Sequence, residues 1–126
     1  MPYQIKWKDN GLIVRYFGDI VSGTQNNIRE SIISDPRFDV ARFMIFDLSD
    51  IETIELDDET AEFNILSATI TMRYNRGCKV AIVASGSEIS HFIQRHIKHL
   101  PEDANWQFKI FGELKKAEQW LFGGEN

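Results

Sequence analysis

The chain has 126 residues, nine of them Phe, three Tyr and three Trp, with 14 Lys plus Arg against 19 Asp plus Glu and a net charge of −5. That is enough chain for one domain with its own core and too acidic to grip a nucleic-acid backbone, which needs a basic face. The lone cysteine, Cys78, excludes an internal disulfide and a Cys-rich metal site.

No apolar run approaches the roughly 20 residues of a membrane-spanning helix, and the segment from Met1 to Lys8 lacks the apolar stretch of a signal peptide. The expectation is a cytoplasmic protein, a single domain over residues 1–126, with no membrane insertion and no nucleic-acid partner. Tyr3, Ile5 and Trp7 alternate with Gln4, Lys6 and Lys8; after Asp9-Asn10-Gly11, Leu12, Val14 and Tyr16 alternate with Ile13, Arg15 and Phe17. Period-two patterning on both sides of Asn-Gly predicts an antiparallel hairpin with a primed turn, whose positive φ both residues tolerate. Gly18 to Gly23 reads as a loop. A helix follows over Thr24 to Ser34, with Ile28, Ile32 and Ile33 on one face, closed by Pro36. Phe43-Met44-Ile45-Phe46 is a short, continuously apolar run, as in a strand buried on both faces.

Asp57 to Tyr74 fits both helical spacing (Ala61, Ile65, Ala68, Met72) and alternation; its length favours a helix starting at Asp57-Asp58 and stopping near Gly77. Val80 to Ala84 is a second buried strand. Ser85 and Glu88 have capping-box spacing for the next helix, whose stripe is Ile89, Phe92, Ile93, Ile97 and Leu100. Phe108 and Ile110 mark a last strand. A final helix carries Leu114, Ala117, Trp120 and Leu121 on one side. The order β-β-α-β-α-β-α-β-α predicts an α/β fold: a mixed sheet with an N-terminal antiparallel hairpin and parallel central strands flanked by helices.

In such a sheet functional loops gather at the carboxyl ends of the strands, here Asp47 to Asp58, Ser85 to Glu88 and Phe111-Gly112. Between Asp47 and Glu62 stand eight acids and no base. The run reads as a divalent-cation site, as a docking patch for a basic partner, or as a loop followed by an acidic first helical turn. Ser85-Gly86-Ser87 lies at a strand-to-helix turn and could offer backbone amides to an anion, although neither a phosphate-loop nor a nucleophile-elbow pattern is present. His91, Arg95 and His99 read as a solvated basic face and His96 as a core or interface residue; a metal would lack a third ligand. Cys78 heads a buried strand as a small core residue.

The element order, Phe46-Asp47-Leu48-Ser49-Asp50-Ile51, the strand Lys79-Val80-Ala81-Ile82-Val83 and the ending Phe111…Glu118…Trp120-Leu121 resemble the SpoIIAA-like, or STAS-like, domains. The resemblance implies a binding module of bacterial anti-sigma-factor-antagonist type, neither an enzyme nor cofactor-dependent, that engages a protein partner. It also implies a phosphorylated serine at the start of the helix after the Asp-Leu-Ser strand end. That position falls at about Asp57, with Leu56 or Asp58 as neighbours in register, and a carboxylate stands where the phosphorylatable serine would be. The expected partner surface is therefore Asp50, Glu55, Asp57, Asp58, Glu59 and Glu62, with the loop near Gly18 to Thr24. The alternative is a small-molecule, anion or lipid site at Ser85, Gly86 and Ser87. An enzyme of another type would be sought first at Asp47, Ser85 and His91. Tyr3, Trp7, Phe17, Trp120 and Phe122 are the aromatic anchors a homodimer would use.

Overall fold

The computed structural model describes residues 2–21, 23–54, 66, 68–100 and 105–123. One five-stranded sheet organises them, with spatial order equal to chain order: β1 (Tyr3–Lys8), β2 (Gly11–Ile20), β3 (Phe43–Ile54), β4 (Lys79–Val83) and β5 (Gln107–Phe111). β1 pairs antiparallel to β2, and every later pair is parallel. Among the described residues the helices are α1 (Thr24–Ile33), α2 (Ser87–Ile97) and α3 (Leu114–Glu118). Residues 68–71 form a further helical turn that tightens into a 3-10 turn at Met72–Tyr74. The mixed α/β sheet expected from the pattern is therefore present.

The described parts of the connections between parallel strands pack on one face. There Leu12, Val14, Tyr16, Met44 and Val80 meet Ile28 and Ile32 of α1, Phe38, Met72, and Ile89 and Ile93 of α2. Successive crossovers of one hand that advance in one direction must share a face. The other face is narrower: Phe43, Ile45, Ala81 and Val83 are covered by Ala117, Leu114, Trp120 and Leu121. The last helix and the wider π turn that follows it at Gln119–Gly123 thus pack the four residues the spacing predicted against the sheet, with Ala117 fully buried and the other three partly so.

Several local expectations need correction. The hairpin forms, with Lys8 opposite Gly11, but no described non-glycine residue has a positive φ and Gly11 is not among the glycines that do. The turn is therefore made by Asp9 and Asn10 without primed geometry. Gly11 serves a different need: a Cβ there would lie 2.3 Å from the Phe43 ring. Gly18, expected in a loop, lies within β2 at φ 60°, beside a shift in strand register. Ile33 is partly exposed rather than in line with Ile28 and Ile32, because it lies about 100° round the helix from Ile32. Pro36 ends α1 and also starts a 3-10 turn, Pro36–Val40, whose cap Asp35 accepts from the Arg37 amide. Gly86, not Ser85, caps α2, since the Ser90 amide donates to the Gly86 carbonyl; the Ser85–Glu88 capping frame is off by one.

The largest difference is β3. It runs twelve residues, not four, and carries the first part of the acidic run as strand instead of loop. Arg15 faces Asp47 but Phe17 faces Asp50, and Gly18 faces Ile51 but Asp19 faces Thr53. In both places β3 holds one residue more than β2, which makes two bulges. β4 ends opposite Asp47, so residues 48–54 extend beyond it as a two-stranded ribbon with the end of β2, roughly 20 Å long at about 3.3 Å per residue.

The opposite, amino-terminal edge is closed by Asn75, which is buried. Its Nδ2 donates to the carbonyls of Phe38 at 2.6 Å and Ala41 at 2.9 Å. Its Oδ1 accepts from the Gly77 amide at 2.7 Å and from Arg42 Nη1 at 3.2 Å, and its own carbonyl accepts from Trp106 Nε1 at 3.3 Å. Cys78 Sγ lies beside the Ala41 carbonyl, and burial pushes its thiol up to about 12.

Candidate functional site

The carboxyl edge of the parallel strands carries Asp47, Asp50 and the Ser85–Gly86 turn. At the first β3 bulge the buried Asp47 turns its carboxylate back on its own strand: Oδ1 accepts from the Ser49 amide at 3.0 Å and from Ser49 Oγ at 2.6 Å. The short polar side chain supplies the bond that the bulged backbone lacks, as Asx and Ser turns do.

Asp50 follows on the ribbon. It is exposed and forms an ion pair with Arg15 across the two strands. Both partners are about half exposed, 52% for Arg15 and 47% for Asp50, so the pair stabilises by roughly 1 kcal/mol at most. The Arg15 guanidinium also lies 5.4 Å over the Phe17 ring. Asp19 accepts from Thr53 Oγ1 at 2.6 Å nearer the tip. The acids of β3 are therefore not a bare negative run: a base from the neighbouring strand meets the first exposed one, and sequence distance hid that base. Glu55, Asp57, Asp58, Glu59 and Glu62 lie outside the described residues.

Ser85 and Gly86 are exposed between β4 and α2, and Ser87 opens the helix. Ala84 is fixed beside them by its amide bond to the Phe111 carbonyl at 2.9 Å and by Ser90 Oγ on its own carbonyl at 3.1 Å. The ribbon and this turn thus share an edge, but no hydrogen bond or ion pair among the described residues joins Asp50 to Ser85 or Gly86. Nor do Asp47, Ser85 and His91 form a relay: Asp47 is engaged by Ser49, and His91 is exposed on α2. His91, Arg95 and His99 are all exposed, with Arg95 lying 5.5 Å over Phe92. Among the described residues no three His, Cys, Asp or Glu side chains come together as metal ligands. No described helix is long and apolar enough to cross a membrane. Of the aromatic anchors, Phe122 is 58% exposed, with its ring edge on Phe43; Tyr3, Trp7, Phe17 and Trp120 are partly buried.

Sequence reasoning missed a second polar cluster at the carboxyl-terminal half of β2. Tyr16 is buried under α1 and donates to Gln25 Oε1 at 2.6 Å; burial holds its phenol well above the ordinary range. Arg29, one turn further along α1, donates to Asn26 Oδ1 at 3.3 Å. The only sequence signal was the i, i+4 spacing of Gln25 and Arg29 flanking the isoleucine stripe.

No family model and no curated protein matches the chain. Solved structures do. The anti-sigma factor antagonist SpoIIAA in its unphosphorylated form aligns with a TM-score of 0.60 at 10% identity, over 98% of this chain and 99% of that one. An uncharacterised DUF3478-family protein with a SpoIIAA-like fold from Shewanella loihica gives 0.57 at 16% identity, over 94% and 91%. The phosphorylated form of the Bacillus cell fate determinant SpoIIAA gives 0.56 at 10% identity, over 94% and 98%. Likeness over so much of each chain, together with the sheet order and the face on which each helix lies, gives this protein the SpoIIAA-like α/β fold.

Proposed function

We propose that this protein is a non-enzymatic regulatory module that binds a partner protein through the projecting ribbon and the acid-rich segment after it: Asp50, Glu55, Asp57, Asp58, Glu59 and Glu62. The observation that carries the reading is the likeness in fold to an anti-sigma factor antagonist over nearly the whole chain. Acids on a projecting surface steer a basic partner and fix its orientation more than they add raw affinity. At Asp57, where the resemblance would place a phosphoserine, a permanent single charge replaces a switchable one of about −1.5 to −2. Binding is therefore read as independent of a serine kinase.

Tagged protein purified from its native cells without crosslinking should carry a stoichiometric partner. The purified partner should then bind the Asp57→Lys/Asp58→Lys variant at least tenfold more weakly, while Lys115→Glu/Lys116→Glu on α3 leaves affinity unchanged. Unchanged affinity after the aspartate reversals would overturn the surface. A second reading rests on the exposure of Ser85 and Gly86 where α2 begins: a small anionic ligand seated at Ser85, Gly86 and Ser87. It would make the protein purify alone and gain about 2.7 kcal/mol of stability at a hundred times Kd.

A further inference from the structure

The two ion pairs between described residues, Arg15–Asp50 and Arg37–Asp35, are both on the surface. Arg29 is the opposite case. It is partly buried on α1, near the buried Tyr16, and no carboxylate among the described residues pairs with it. The first turn of α1 holds no acid; Glu30, the next residue, is exposed and lies about 100° round the helix, and Asp19 is engaged by Thr53. Burial pulls the Arg29 guanidinium below its ordinary value, opposed by Tyr16. A desolvated charge without a partner is costly, and the usual remedy is a counter-charge.

The neighbours define what that counter-charge must be. Tyr16 Oη occupies the carbonyl oxygen of the Gln25 amide, and Arg29 Nη1 occupies that of Asn26. Both amides are thereby oriented with their acceptors used and their NH2 groups left over. Arg29 has five N–H donors and spends one. Residues 25, 26 and 29 share one side of the helix through i, i+3 and i, i+4 spacing. Each amide oxygen is thus engaged once, while both NH2 groups and four of the Arg29 N–H groups have no partner among the described residues, so donors dominate the surplus of this cluster. Those donors are also reachable: among the described residues no fully buried side-chain nitrogen or oxygen lacks a hydrogen-bond partner.

We infer that Arg29, Gln25 and Asn26 form a binding site for a phosphate-class oxyanion, held by the guanidinium fork and by the two side-chain amides that Tyr16 and Arg29 orient. A planar fork beside two side-chain NH2 groups on the same side of the helix matches a tetrahedral oxyanion with several acceptors better than it matches a cation. The site lies on α1 and does not depend on the acidic surface proposed above.

The test is a titration of the 15N-labelled full chain with inorganic phosphate, and separately with a blocked phosphoserine peptide, at constant ionic strength. Saturable shifts are expected at the Gln25 and Asn26 side-chain NH2 groups and at Arg29 Nε–H. Arg29→Gln should weaken binding roughly tenfold to a hundredfold, the scale of a lost charge-assisted hydrogen-bond pair. Arg37→Glu should titrate like the parent. Asn26→Asp, which supplies a carboxylate beside Arg29, should abolish phosphate binding and raise Tm; it decides the matter if Arg29→Gln does not fold. Tighter binding of inorganic phosphate assigns a free anion, and tighter binding of the peptide assigns a protein-borne one. No saturable shift on α1 with either probe, or phosphate affinity unchanged in Asn26→Asp, overturns the site.

Discussion

Asn75 serves three backbone groups, one indole and one guanidinium through a single side chain and its own carbonyl, and it does so where water is excluded. Removing it orphans the Gly77 amide, at about 1–3 kcal/mol, and takes one donor each from the Phe38 and Ala41 carbonyls, at about 1 kcal/mol apiece, since these keep the Ala41 amide and Arg42 Nη1. Asn75→Ala is therefore expected to lower stability by about 3 kcal/mol or more, read as a shift in urea midpoint at constant m. Asn75→Asp should be no better, because it keeps the acceptor, loses both donors and buries a charge. Cys78 makes a different prediction. Its thiol is neutral in the fold up to about 12, against 9.0 as the ordinary value. The raised value means that its contribution is fully present below pH 9 and is lost as pH rises from 9 towards 12. Cys78→Ala should flatten that alkaline decline in stability, and the native thiol should resist iodoacetamide at neutral pH. Burial of Cys78 was legible in its apolar surroundings. Asn75 was not, because an Asn-x-Gly sequence after a helix reads as an ordinary turn until three separate segments are seen converging on it.

Among the elements, β3 shows why pattern reading falls short at one point. Phe43 to Phe46 is a plain apolar run and was found. Beyond it, the residues that face the core are Leu48, Ile51 and Ile54, spaced by three. Each bulge adds a residue, so the period of two that betrays a strand disappears at the point where the acids begin. The same bulges place Asp50 opposite Phe17 and within reach of Arg15, a contact that sequence order could not supply. Amides of residues 43–47, flanked by strands on both sides, should accordingly exchange hydrogen more slowly than those of residues 49–54, which pair with β2 alone among the described strands. Equal protection along the whole of β3 would contradict the projecting ribbon. The hairpin teaches a related lesson: Asn-Gly led to the right pairing for the wrong reason, since Gly11 is required by the Phe43 ring and not by the turn.

For the molecule as a whole, the sheet has two faces of unequal security. Among the described elements α1, the turns at Pro36–Val40 and Met72–Tyr74 and α2 cover one, while α3 and its π turn cover the other. Phe43, Ile45, Ala81 and Val83 therefore depend on ten residues of chain. Truncation after Glu113 should leave that face open, lower Tm and produce strong binding of a hydrophobic dye, whereas Phe122→Ala, at a site already 58% exposed, should change stability only slightly. Fold class, the chain order of strands and helices and the apolar side of the last helix were legible, because they follow from run length and periodicity. The Arg29 cluster was not, because its meaning lies in which hydrogen-bonding valences are left over once the helix has docked.

Because spatial order in the sheet repeats chain order, each strand joins the edge of the one made just before it. During synthesis the sheet can therefore grow in the direction of translation without waiting for a distant segment, and each crossover closes behind it. The second face gains its cover only when residues 114–123 have cleared the ribosome. Until then a nearly complete sheet carries an unprotected apolar strip, and that interval is when a nascent chain is most exposed to chaperones and to misassociation with its neighbours.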